Sequence, residues 1–207
     1  MPVVPMSEIN GLMTPDGARE PSAPLPTGGI ILARHPSQSD LERIYELSRS
    51  EISPNIASAE IVRAVFQHNP DTFWGIYHSA DGNKANATLV GFYSFLHLNA
   101  HGAAALEQGT FDGVNVNLSQ LALAGERPVY VYVWAIVARR MARIATVLVA
   151  RALGKDRYGG IPIYCKPATL GGVNVIKAYG FEGIRPSEKG IGDLFRLDPE
   201  VPQRPAA

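Results

Sequence analysis

Val129 to Leu153 reads VYVYVWAIVARRMARIATVLVARAL, and its pattern changes halfway. The residues from Val129 to Val137 are β-branched, aromatic or small and apolar, the composition of a strand buried on both faces. Arg139 and Arg140 end that run. From Met141 the apolar positions recur with helical spacing: Met141, Ile144, Ala145, Leu148 and Ala152 form one stripe. Arg139, Arg140, Arg143 and Arg151 lie off it. A buried strand running directly into a helix leaves unpaired backbone N–H groups at the turn. With the positive end of the helix dipole, those donors form an anion site. The alternative is an ordinary solvated helix start, where cations are unfavourable without an anion to balance them.

On the N-terminal side, residues 1–28 hold Pro2, Pro5, Pro15, Pro21, Pro24 and Pro26 among Gly, Ser and charge. Such a composition cannot bury enough surface to offset its ordering entropy, so a disordered segment is expected, with partner docking as the alternative. Gly29 to Ala33 reads as a strand, closed by His35-Pro36. Ser39 and Glu42 have capping-box spacing at the head of a helix through Leu41, Ile44 and Tyr45. A second helix from Ser58 carries Ile61, Val62, Val65 and Phe66 and stops at Asn69-Pro70. Thr72 to His78 and Thr88 to Leu98 read as an antiparallel hairpin around Asp81-Gly82-Asn83. Asn99 to Pro128 shows only weak periodicity. A connection of that length is either a lid or substrate-facing segment, or a neutral surface excursion.

On the C-terminal side, Ile161 to Cys165 reads as a strand, with Pro162 at its start or at an unpaired edge. Thr169 to Tyr179 reads as a helix stopped by Gly180. Phe181 to Ile184 and Asp193 to Leu197 close the sheet. Residues 198–207 are expected to form a mobile tail.

Composition narrows the function classes. Lys+Arg equals Asp+Glu at 19 each, so no global field points to nucleic acid or to a membrane surface. Cys165 is the single cysteine, which excludes a disulfide framework and suits a reducing cytosol. The N-terminus lacks the pattern of a signal peptide, and no stretch approaches the ~18 apolar residues of a membrane span. A cytoplasmic location is expected. The histidines are scattered, so no metal site is expected.

The order strand, two helices, three-strand meander, helix, strand, helix, strand is carried by VWAIVARRMARIATVLVARAL, IPIYCKPATLGG and AYGFEG. It resembles the GNAT acetyltransferase superfamily over residues 29–197. The resemblance implies an α/β (α+β) fold with a mixed central sheet whose fourth and fifth strands splay. It implies acetyl-CoA as the acyl donor, its pantetheine paired with the backbone of Trp134, Ala135, Ile136 and Val137. The phosphate loop would be Arg140-Met141-Ala142-Arg143-Ile144-Ala145, in which Arg140 and Ala145 match the family pattern. Arg143 stands where glycine is usual. Either its side chain swings outward and adds a phosphate contact, or the loop is degenerate and binds weakly.

The family's usual general acid, a tyrosine four residues before the Gly-Phe pair, falls at Ile176 and is missing; Tyr179 reads as packing. Some members carry a glutamate base on the fourth strand where this chain has Tyr130. Strand parity puts Tyr130, Tyr132 and Trp134 on one face unless a bulge intervenes. Tyr130 is therefore a candidate to donate a proton or position a water, against simple packing under a helix. His97, at the end of the third strand, is a candidate base near neutral pH, against a plain surface position. Cys165 reads as packing.

The resemblance implies an N-acyltransferase working by direct transfer within a ternary complex. The alternative is a catalytically degenerate CoA-binding or protein-interaction module. The expected acceptor is a small-molecule or peptide amine. Nucleic acid is not expected, charged tRNA remaining the open exception, and a homodimer is an expected assembly.

Overall fold

Asp81 organises the first turn of the sheet by accepting from Ser79 Oγ (2.6 Å) and from the Asn83 backbone N–H (2.8 Å). The strands it joins, β3 (Phe73–Ser79) and β4 (Thr88–Leu98), pair antiparallel as expected. The structure, a computed structural model, describes residues 3–5, 29–52, 56–138, 142–184 and 190–198; of 3–5, 142, 143, 155 and 156 it describes the backbone alone.

Before the hairpin come β2 (Ile30–Arg34), α1 (Gln38–Glu51) and α2 (Ala59–His68). The cap of α1 lies two residues earlier than the Ser39–Glu42 spacing suggests. Ser37 is the N-cap and Asp40 the N3 partner, because the Asp40 carboxylate accepts from the Ser37 backbone N–H at 3.0 Å and also from the Tyr77 hydroxyl at 2.8 Å. A tertiary partner thus selects the register. Ser58 caps α2 as expected, and Asn69 ends it.

One helix carries no clear apolar stripe. Within the 99–128 connection lies α3 (Ala100–Glu107), capped by Asn99, whose side chain accepts from the His101 and Gly102 N–H groups. Small alanines and Gly102 hide its periodicity. Gly102 is required because the backbone of Gln120 crosses it: a Cβ there would sit 2.2 Å from the Gln120 carbonyl oxygen. The strand–helix stretch becomes β5 (Tyr130–Ala138) and α4 (Ala142–Ala152), followed by the short α5 (Lys155–Tyr158). Then come β6 (Ile163–Cys165), α6 (Leu170–Ala178), β7 (Glu182–Gly183) and β8 (Phe195–Leu197). Pro162 directly precedes β6, and its carbonyl accepts from Val131 N–H at 3.0 Å.

Val3–Pro5 forms β1, antiparallel to β2, so these residues of the proline-rich segment belong to the sheet edge. The rest of 1–28 lies outside the described residues. Asp198, first of the expected tail, pairs with Arg196 at 3.0 Å; 199–207 lie outside the description.

The sheet order is β1-β2-β3-β4-β5-β6-β8-β7, antiparallel throughout except between β5 and β6. Its two faces carry separate cores. Leu41 and Ile44 of α1, Val62 and Val65 of α2, and Leu106 of α3 pack with Phe73, Phe92, Leu96 and Tyr132 on one face. Ile144, Ala145 and Leu148 of α4, with Val173 of α6, pack against Ile76, Tyr93, Phe95 and Val131 on the other. Of the stripe read from the sequence, Ile144, Ala145 and Leu148 are buried and Ala152 is half-buried, while Met141 lies outside the described residues.

Candidate active site

The site is made by two irregularities beside β5. On the β4 side, Ser94 pairs with Ala135 but Phe95 pairs with Val133, so Trp134 is the extra residue of a bulge. On the other side, β6 accompanies β5 only from Val131 to Val133, opposite Ile163, Tyr164 and Cys165. The chain then turns away through Lys166-Pro167, and proline supplies no N–H to continue a ladder. Trp134 to Ala138 are left with no strand beyond them on that edge among the described residues.

This corrects the expectation of a strand buried on both faces. Val131 and Tyr132 are buried, Val133 to Ala135 half-buried, and Ile136 is 43% exposed. Departure of β6, not polarity, is the cause: the sequence there stays apolar. The bulge also shifts the side-chain alternation. Tyr130, Tyr132 and Trp134 share the face under α1–α3, and beyond the bulge Ala135 and Val137 join it, both being packed in that core. The open edge presents backbone N–H and C=O groups to an extended, amide-bearing ligand.

A segment of the 99–128 connection lies beside the bulge on the α1–α3 face. The Trp134 indole N–H donates to the Gly113 carbonyl at 2.7 Å, and the Phe111 ring lies 5.3 Å from that of Tyr132. Asp112, in the same segment, is held below its ordinary carboxylate range, first by a hydrogen bond from Asn115, with Lys166 adding attraction. The segment thus packs on the face of β5 that carries Tyr132 and Trp134.

Tyr130 stands at the start of β5, and its hydroxyl donates to Glu107 Oε1 at the end of α3. That hydrogen bond, then burial, raises the phenol above its usual value. The Tyr164 ring lies 4.9 Å from that of Tyr130, and the Arg196 guanidinium lies 5.8 Å from the Tyr164 ring on the far side of β6. Arg196 and Asp198 also line a pocket of about 240 Å³ with Gly180, Glu182, Gly183 and Ile184. Glu107, Tyr164 and Arg196 were not among the sequence candidates. Alternation along IPIYC places Tyr164 opposite Ile163 and Cys165, a signal the sequence does contain. Glu107 sits at the end of the helix whose stripe the alanines conceal.

His97 is not the base that its strand-end position suggests. It is 6% exposed and held on both sides. Asn69 Nδ2 donates to its Nδ1 (3.1 Å); the orientation of that amide is fixed because its oxygen accepts from Asp71 N–H and its nitrogen also donates to the Ala122 carbonyl. The ring proton is then on Nε2, which donates to the Tyr158 hydroxyl at 2.7 Å. Burial, reinforced by Arg157, pushes its pKa down to about 4. It is a neutral structural group on the opposite face of the sheet from Tyr130. Cys165 is likewise buried, its thiol pushed up to about 12, which suits packing rather than nucleophilic attack. Ile176 and Tyr179 pack against the α4-side core.

Arg140 and Met141 lie outside the described residues, as does Arg139. The backbone of Ala142 and Arg143 opens α4, but their side chains lie outside the description; Ile144 and Ala145 are buried against the sheet. Among the described residues no cluster of His, Cys, Asp or Glu could hold a metal, and no helix is long and apolar enough to cross a membrane.

No family model and no curated protein matches the sequence. Solved structures do match the fold. NAA60 of Arabidopsis thaliana in complex with acetyl-CoA superimposes with a TM-score of 0.55 at 17% identity, covering 81% of this chain and 98% of that one. This chain has the GNAT fold. The NatC complex bound to Gag peptide and CoA shares it with a TM-score of 0.53 at 15% identity, over 81% of this chain and 96% of that one. So does diaminobutyrate acetyltransferase EctA of Paenibacillus lautus, in complex with its substrate L-2,4-diaminobutyric acid and coenzyme A, with a TM-score of 0.51 at 15% identity over 86% and 100%. In the numbering of that fold β5 and β6 are the fourth and fifth strands, β1 being an addition at the edge. The divergence beyond Val133 and Cys165 is the splay expected of it.

Proposed function

We propose that this protein is an acetyl-CoA-dependent N-acetyltransferase acting on a small-molecule or peptide amine. The observation that carries this reading is the open edge of β5 from Trp134 to Ala138, where the bulge and the departure of β6 coincide in a GNAT fold. Backbone groups of Trp134 to Val137 would hold the pantetheine. The N-terminus of α4, which Arg140 precedes and Arg143 follows in sequence, would hold the pyrophosphate. The donor supplies an activated acetyl thioester; what this chain supplies is position. Tyr130 and Tyr164, in ring contact on the face of α1–α3, would line the acceptor side, and the 111–115 segment, bonded to Trp134, would shield the gap from water. No acid is needed at Ile176, because a thiol of pKa ~8.5 leaves with only modest assistance.

The test is calorimetry with acetyl-CoA followed by thiol release over a panel of amines. Binding with release supports the transferase. A second reading draws on the packing of half-buried Ile176 against the core, where the family's acid would stand: a CoA-binding or protein-interaction module without catalysis. Binding without release for any amine favours that module.

A further inference from the structure

Tyr130 has one hydroxyl proton, and it is committed. It points at Glu107 Oε1, so the oxygen's lone pairs face away from α3; the Tyr164 side chain is a second hydrogen-bonding neighbour of this phenol, and one lone pair remains to accept from an amine. A phenol in that arrangement is ill-suited to protonate a departing sulfur. It is suited to take a proton from an amine while passing its own to the carboxylate. We propose that Tyr130 and Glu107 form an outward proton relay for the acceptor amine, with Glu107 as the positioning residue that sets its direction. The inference rests on the transferase reading and adds to it the base that the sequence does not display.

The balance is simple. The amine nitrogen forms the C–N bond of the new amide, and the C–S bond of the thioester breaks, its electron pair leaving on sulfur. The proton shed by nitrogen goes to the Tyr130 oxygen, directly or through one water, as the Tyr130 proton moves to Glu107. Glu107 is exposed at the end of α3 and returns that proton to solvent; the thiolate takes one from water. The elements packed around the phenol agree with this direction. Tyr164 of β6 contacts it ring to ring, and Arg196 of β8 lies behind Tyr164, so the only carboxylate bonded to the Tyr130 hydroxyl among the described residues is Glu107.

The experiment compares kcat/KM against pH for wild type, Glu107→Gln, Tyr130→Phe, their double variant and Glu107→Asp, using the best amine of the panel. A general base contributes on the order of 10²-fold or more. Glu107→Gln should lose about that factor near neutrality, and the deficit should narrow at alkaline pH as free amine becomes plentiful. The double variant should be no worse than Tyr130→Phe, since the pair acts as one unit. Glu107→Asp should recover part of the loss, and acetyl-CoA affinity should be unchanged in all. A deficit uniform across pH, additive losses, or full activity in Glu107→Gln overturns the relay while leaving the transferase standing. Absence of thiol release by wild type with every amine overturns both.

Discussion

Val133 and Cys165 are the last residues at which β5 and β6 run side by side, and the next residue of β5, Trp134, has a register partner in neither neighbouring strand among the described residues. Bulge and departure thus fall at one point. A bulge sharpens the local twist of β5, and Lys166-Pro167 turns β6 away before the twist would need to be followed. The result is a cleft with a backbone wall, made from residues that remain apolar in sequence.

Ile136 tests that cleft directly. It is 43% exposed, so Ile136→Asp should cost little stability, about 1 kcal/mol or less. It would place a charge where the pantetheine should lie. Acetyl-CoA affinity should fall by about tenfold or more, which is about 1.4 kcal/mol in calorimetry. Unchanged affinity would remove the cofactor from this edge.

Trp134 holds the 111–115 segment through one hydrogen bond, from its indole N–H to the Gly113 carbonyl at 2.7 Å. Trp134→Phe keeps the ring near Phe73 but deletes the donor, at a cost of about 1 kcal/mol. Amide hydrogen exchange in 111–115 should accelerate several-fold while β5 exchanges as before.

His97 gives the protein a pH dependence separate from its chemistry. Its folded pKa, about 4, lies below the ordinary 6.5, so on acidification the unfolded chain binds the proton first. Stability is therefore intact above about pH 6.5 and declines as the pH falls towards 4, by about 3 kcal/mol at full extent. Asn69, Tyr158, Arg157 and Asp71 are the groups that face the ring or act on its charge. Asp40 also has a folded pKa below its usual 3.8: burial opposes the shift, but hydrogen bonds from Ser37 and Tyr77 prevail. Its contribution is lost only at lower pH. Urea unfolding at about pH 7 and about pH 4.5 should show the decline in wild type and a flatter response in His97→Gln.

Ser37 and Ser39 separate two accounts of the start of α1. Ser37 accepts from Asp40 N–H and donates to the Asp40 carboxylate, whereas Ser39 meets only the Ser37 hydroxyl among the bonds described. Ser37→Ala should lower stability by about 1 kcal/mol in denaturant unfolding, and Ser39→Ala by a few tenths.

Local chemistry made most of the fold legible. A run of β-branched and aromatic residues followed by a helical stripe places β5 and α4 without knowledge of any partner, and Asp81-Gly82-Asn83 sets the hairpin that aligns β3 with β4. Caps such as Ser58 and Thr169 and the stop at Gly180, with φ +83, act within a turn or two of chain and are readable for that reason. The helix α3 was not, because Ala and Gly give a packed face no contrast with a solvated one.

The sequence by itself determined most of the order of elements and the apolar stripe of α4, since these follow from periodicities a few residues long, and its motifs taken together carried the family resemblance. Only the tertiary structure decided what the side chains of the site do. Burial between Asn69 and Tyr158 made His97 a neutral strut, and the end of α3 brought Glu107 to Tyr130 across 23 residues of chain. Proton affinity depends on what surrounds a group in space, and that is set by contacts distant in sequence.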